Sequence, residues 1–298
     1  MNACASPTPG HTGLRRRDAL ALLPLVLAAP LSALAQTELT DLARIRASGA
    51  LKVAVYKDNA PFSSGPAADM KGLDVSLAEA LARQLNLKLS LLPFDAGENM
   101  NDDLRNMVWR GHYLGYGPAD VMLQVPADRF LANGNPQVTI MAPYMRQSNV
   151  LLHDTRRLAA ASAPEDLKGQ PLAAERGAGA ASVLMGYGGG LLRNQVAIYP
   201  TGVEAAEAVI DGKAVAAFVT RAQAEAALFQ RKAALPPFQI TKLSLNNGIA
   251  DTGWPLGMAI KASHKDLGAA LDTAMKALRD SGEMLAIFKQ HGLTLTAP

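Results

Sequence analysis

The sequence predicts an α/β protein of two lobes, each a mostly parallel sheet flanked by helices. Three observations lead there. Short segments of alternating apolar residues take turns with segments whose apolar residues recur every three or four positions, along nearly the whole chain. A helix between two strands is the pattern of a parallel crossover. The 298 residues suit two domains of about 100–200 residues each, with 49% hydrophobic content for ordinary cores.

Residues 40–48 form a short surface helix built on Leu42 and Ile45, ended by Gly49. Residues 51–55 alternate at period two as a strand. After a loop with Pro61, Gly65 and Pro66, the residues Leu73, Leu77, Leu81 and Leu85 mark one stripe of a helix running through Gln84. Residues 87–91 alternate again. A helix over 102–109 follows, capped by Asn101 or Asp102 and broken by Gly111, Gly115, Gly117 and Pro118. Strands at 121–123, 138–140 and 150–152 come next, with Pro143-Tyr144 read as the first passage between lobes.

A second α/β set begins with a strand at 172–174, a helix from Gly179 and a strand at 197–199. A helix at 204–210, a strand at 215–219 and a helix through Gln230 continue it. Strands at 239–243 and 257–260 bring the chain back. Helices built on Leu267, Leu271, Met275 and Leu278, and on residues 284–290, close it.

The first residues have the pattern of an export leader. Arg15, Arg16 and Arg17 precede an apolar run over 19–31, and Ala33-Leu34-Ala35 offers a small-x-small cleavage site. The run is too short for comfortable passage through a bilayer core, which takes about 20 residues. Cleavage after Ala35 removes three arginines and one aspartate, so a formal charge of +3 falls to +1. The leader also carries the only cysteine, Cys4. Such a balance points to neither nucleic acid nor an anionic membrane as partner.

The remaining motifs exclude several chemistries. Residues 186–190 (Gly-Tyr-Gly-Gly-Gly) lack the Gly-Lys-Ser/Thr of a phosphate loop. His112, His153, His264 and His291 show no metal-ligand spacing. There is no G-x-S-x-G elbow, and no cysteine outside the leader for covalent catalysis. Asp95, Glu98, Asn99, Asn101, Asp102 and Asp103 supply the oxygens a hard cation takes, but not the spacing of a calcium loop; a helix cap in a solvated loop is the plainer reading.

Several segments together resemble the family 3 extracellular solute-binding proteins. They are residues 51–55 with Asp58, Pro61 and Phe62; Gly72-Leu73-Asp74-Val75 with Leu77-Ala78; and Ala119-Asp120-Val121-Met122 followed by Arg129. Pro143-Tyr144, Asp166-Leu167-Lys168-Gly169, Ile210-Asp211-Gly212-Lys213 and the closing leucines complete the order. The resemblance implies a type II periplasmic binding protein fold with a leader at 1–35, lobe one at 36–145 and 246–298, and lobe two at 146–245. It also implies a monomer in the periplasm that holds a small-molecule ligand between lobes, without cofactor or catalysis, for an ABC permease.

By that resemblance Arg129 grips a ligand carboxylate; the bland alternative is an ion pair with Asp128. Tyr56, Phe62 and Trp254 are cleft aromatics or core packing. Asn99 stands at the cleft edge, and Arg176 and Gly177 follow a strand and precede a helix, where free N–H groups meet anions. Thr220 occupies the place of the acid that pairs with a ligand ammonium, while Pro126 and Gly177-Ala178 replace hydroxyl-bearing residues. These departures argue against a standard α-amino acid, because a buried unpaired ammonium is costly. Residues 120–127 (Asp-Val-Met-Leu-Gln-Val-Pro-Ala) also resemble the branch associated with methanol-type quinoprotein dehydrogenases, which implies such an enzyme as partner. A dehydratase on the same scaffold is the remaining alternative, with Glu175 as its acid.

Overall fold

The computed structural model describes residues 39–245 and 252–298. The expected leader, including the three arginines, Cys4 and the cleavage point after Ala35, lies outside the described residues.

Helix α1 (Asp41–Ser48) is capped by the Thr40 side chain and ends where Gly49 turns left-handed at φ 75°. Strand β1 (Ala50–Tyr56) leads through a loop to α2 (Leu73–Gln84), which returns to β2 (Lys88–Phe94), parallel to β1 from Ala50↔Lys88 onward. Leu73, Leu77 and Leu81 are fully buried on one face of α2; each such side chain stabilises the fold by roughly 1.5–3 kcal/mol. Gly72 enters α2 at φ 138°, and a Cβ there would collide with the Phe62 carbonyl.

Helix α3 (Met100–Leu104) continues directly into a π-helical turn, Arg105–Trp109. Its cap is Asn99, whose side chain accepts from the Asp102 N–H, so the helix begins ahead of the Asn101 or Asp102 cap that the sequence predicts. Strand β3 (Val121–Pro126) is almost wholly buried. Helix α4 (Arg129–Gly134) is capped by Asp128.

Strand β4 (Val138–Gln147) runs unbroken past Pro143 and Tyr144, and the chain passes to the second sheet at Ser148, entering β5 (Asn149–Asp154). The passage therefore lies later than Pro143-Tyr144. An edge strand tolerates a residue without an N–H, and the β4–β10 register slips at this point, opposite Gly257, where Ala142 takes φ 45°.

The second sheet collects β6 (Leu172–Glu175), β7 (Val196–Tyr199), β8 (Ala216–Thr220) and β9 (Phe238–Thr241). Around it pack α5 (Gly179–Gly186), α6 (Gly202–Ile210) and α7 (Arg221–Gln230). Strand β10 (Trp254–Lys261) rejoins the first sheet, and α8 (Lys265–Asp280) and α9 (Glu283–Gln290) follow. The orders are β2-β1-β3-β10-β4 and β7-β6-β8-β5-β9. In each sheet four strands run one way and one, β10 or β5, runs against its neighbours. This repeated arrangement puts the C-terminal ends of β1 and β3, and of β6 and β8, at loop-bearing edges, where open α/β sheets hold ligands. Among the described residues no helix is long and apolar enough to cross a membrane.

Candidate functional site

A cavity of about 440 Å³ opens at the C-terminal ends of β1 and β3. Tyr56, Asp58, Met100, Gln124, Pro126 and Trp254 are among the residues that line it. Each wall has a structural reason. Tyr56 ends β1 half-buried, its ring tilted 39° on Phe94 at 4.5 Å between centroids. Its hydroxyl donates to Asp103 Oδ2 at 2.7 Å. Burial, reinforced by the Asp103 charge, pushes the phenol pKa up, so the hydroxyl remains a donor. Burial likewise pushes the Asp103 carboxyl up, while the Tyr56 hydroxyl and the Gly97 amide hold it down. Trp254 opens β10 beside Gln147 of β4. The cavity is thus walled by one rigid aromatic on a parallel strand and another on the antiparallel strand two places away.

The floor holds a polar chain. Gln124, 8% exposed, takes a left-handed φ of 63° inside β3. Its backbone N–H donates to the Tyr144 hydroxyl at 3.2 Å, which donates in turn to Asp74 Oδ1 at 3.0 Å. Asp74 has no exposed surface. Its pKa is pushed up to about 7 by burial, against the pull of Tyr144 and Gln124.

The structure gathers only part of the expected set here. Tyr56 and Trp254 line the cavity. Phe62 does not: it is 3% exposed and packed in the main core, so its sequence reading as a cleft aromatic gives way to core packing. Asn99 is exposed and engaged as the cap of α3. Arg129 is exposed at the first turn of α4, and no ion pair holds it among the described residues, since Asp128 caps the helix by accepting from Leu131 N–H at 2.8 Å. The alternative reading, an Arg129–Asp128 ion pair, is not found among the described residues, where Asp128 serves as a cap.

Arg176, Gly177 and Thr220 lie together at the C-terminal ends of β6 and β8 rather than on this cavity. Gly177 takes φ 71° and is exposed, and the Arg176 N–H donates to the Tyr199 carbonyl at 2.8 Å. Thr220 is committed to a capping box at the start of α7 with Gln223. The same Gln223 donates through Nε2 to Glu175 Oε2 at 2.9 Å. A carboxylate from β6 therefore stands beside the position where Thr220 leaves none, an arrangement that residue-by-residue comparison along β8 misses.

A second cavity, about 580 Å³, joins the Asp58 loop of the first sheet to Thr201, Glu204 and Glu207 at the start of α6. Asp58, held at φ 50°, lines both cavities. A larger apolar groove of about 1180 Å³ runs between α7, β9 and the C-terminal segment, and none of the candidate residues above lines it. The oxygen-rich stretch at 95–103 spends its polar atoms internally: Lys57 pairs with Asp95, Asn99 and Arg105 with Asp102, and Tyr56 and Gly97 with Asp103. Among the described residues no group of three His, Asp or Glu is arranged to hold a metal ion.

No protein-family model and no curated protein matches the chain. Solved structures do. An ancestral cationic amino acid solute-binding protein matches with a TM-score of 0.62 at 20% identity, covering 84% of this chain and 98% of its own. An amino acid ABC transporter substrate-binding protein from Streptococcus pneumoniae, bound to L-arginine, matches with a TM-score of 0.57 at 20% identity, covering 86% and 100%. An arginine-binding protein from T. maritima, as its P235GK mutant, reaches 0.55 at 19%, covering 84% and 97%. The chain has the two-lobed solute-binding protein fold.

Proposed function

We propose that this protein is an exported solute-binding protein that captures a small polar ligand between two lobes, for delivery to an ABC permease. The lobes follow the two sheets, near the boundaries 36–145 with 246–298 and 146–245. The observation that carries the reading is the cavity at the ends of β1 and β3, walled by Tyr56 and Trp254 and floored by Gln124. Its size and mixed lining suit a metabolite. Arg129 stands on the same lobe as the cavity, and the loops at Glu175–Gly177 and Thr220 are the groups that hinge closure would bring to the ligand.

Glu175 alters the argument against amino-acid ligands. A carboxylate anchored by Gln223 at the edge of the second sheet is a partner for a ligand ammonium in place of the missing acid at 220. Related folds bound to L-arginine and to glutamine set the first probes.

The test is calorimetry and tryptophan fluorescence with L-arginine, glutamine, other amino acids, small carboxylates and a quinone cofactor. A ligand present at 100 times its Kd stabilises the protein by about 2.7 kcal/mol, and binding changes Trp254 emission in a Trp109→Phe background. Silence across the panel, with no change on Tyr56→Ala, would overturn the metabolite reading. The stretch 120–127 would then favour an accessory role beside a periplasmic quinoprotein dehydrogenase.

A further inference from the structure

The polar chain under the cavity is incomplete in a specific way. Asp74 Oδ2 is enclosed and has no hydrogen bond, and Gln124 Nε2 is enclosed and has none either. Geometry links the two residues through Tyr144, whose hydroxyl accepts from the Gln124 N–H and donates to Asp74, and the Gln124 side chain favours the charged carboxylate. A buried acceptor and a buried donor left open together are costly, and such groups call for an explanation. One of the two belongs to a residue that lines the cavity.

The surroundings isolate this pair. Tyr144 on β4 is the titratable group that touches Asp74, and burial keeps its hydroxyl protonated. Of the groups on the elements packed against α2, His291 after α9 meets Ser76, and Glu283 on α9 pairs with Arg83. Both contacts lie further along the helix. Lys52 of β1 and Lys88 of β2 are exposed at their strands, and Arg279 of α8 donates to the Pro143 carbonyl. What acts on Asp74 is burial, Tyr144 and Gln124, with no charge among them.

We infer that Asp74 is a positioning residue that sets ligand specificity: its protonation state decides which end of the Gln124 amide faces the ligand cavity. The inference rests on the binding reading above and deepens it. A carboxylate can only accept hydrogen bonds, so a charged Asp74 turns Gln124 Nε2 inward and leaves Oε1 to the cavity. The floor then suits an ammonium or hydroxyl group. A neutral Asp74 carries a proton that donates to Oε1, which turns the amide over and leaves Nε2 to the cavity. The floor then suits a carboxylate. The exchange is a half-turn of a planar amide whose two ends are nearly equal in size, so packing is undisturbed. The left-handed backbone at Gln124 fixes where the side chain emerges. In the structure Nε2 is enclosed, as the first arrangement requires, but makes no hydrogen bond to Asp74.

The test reads the amide directly and needs no ligand. In the ¹⁵N-labelled protein, the Gln124 side-chain NH₂ signals are identified by their loss in Gln124→Leu and followed from pH 5 to pH 9. They are expected to move with a single midpoint near 7. The movement is expected to vanish in Asp74→Asn, and the midpoint to rise in Tyr144→Phe, which removes a donor from the carboxylate. Signals that stay flat in the wild type, or titrate unchanged in Asp74→Asn, overturn the inference.

A second arm uses L-arginine as probe. One coupled proton changes affinity by up to about tenfold per pH unit, and Asp74→Asn is expected to flatten that slope; a slope kept in the variant overturns the inference. If L-arginine does not bind, the amide titration alone decides the matter, and it is the choice of ligand that has failed.

Discussion

Replacing Tyr144 by Phe tests the buried chain most directly, because it deletes one oxygen and keeps the ring. Tyr144 is 1% exposed and its hydroxyl makes two hydrogen bonds, to the Gln124 N–H at 3.2 Å and to Asp74 Oδ1 at 3.0 Å. Both partners are enclosed, so each is orphaned at about 1–3 kcal/mol. The expected loss is therefore about 2–6 kcal/mol, a large share of an ordinary domain stability of about 5–15 kcal/mol.

The loss also depends on pH, and its sign follows from Asp74. A carboxyl raised to about 7 is neutral in both folded and unfolded chains below pH 4. Its contribution to stability is complete there and is lost as the pH rises through 7. Removing the Tyr144 donor raises that pKa further, so the variant loses more at pH 8, where the wild-type carboxylate is charged, than at pH 5. Urea unfolding of both proteins at the two pH values is the assay. A loss below about 1 kcal/mol at both, or a larger loss at pH 5, would refute the reasoning.

Three further outcomes follow from other parts of the fold. Gly72→Ala places a Cβ against the Phe62 carbonyl at a φ of 138°; backbone cannot give way cheaply, so thermal unfolding should show a loss of several kcal/mol, and a change under about 0.5 kcal/mol would contradict the packing. Gln223→Ala removes the capping box at Thr220 and the contact with Glu175, for an expected loss of about 1 kcal/mol, read as a lower Tm, with weaker ligand binding if Glu175 holds an ammonium. Arg129→Ala, at an exposed side chain without an ion pair among the described residues, should leave stability within about 0.5 kcal/mol while lowering affinity for carboxylate-bearing ligands by tenfold or more; unchanged calorimetric affinity removes Arg129 from the site.

The elements were legible because their signals are local. Leu73, Leu77 and Leu81 repeat at the helical period and are all fully buried on α2, and the strand at 51–55 lies inside β1. The departures arose where long-range pairing outweighs local signals. Pro143 reads as a turn in sequence, yet it sits on an edge strand at a slipped register opposite Gly257. Phe62 follows a proline in a polar loop, and only the packing of that loop onto α2 buries it.

Sequence alone thus determined the alternation of strands and helices, the two-sheet plan and the aromatic candidates Tyr56 and Trp254, since periodicity and turn residues are properties of neighbours along the chain. Tertiary structure decided the site. Asp74, Gln124 and Tyr144 stand on three different elements, and Glu175 reaches the Thr220 cap from a different strand through Gln223. Their chemistry depends on burial and on hydrogen bonds between residues 20 to 70 positions apart, and no local pattern encodes the desolvation that holds a carboxyl near neutrality.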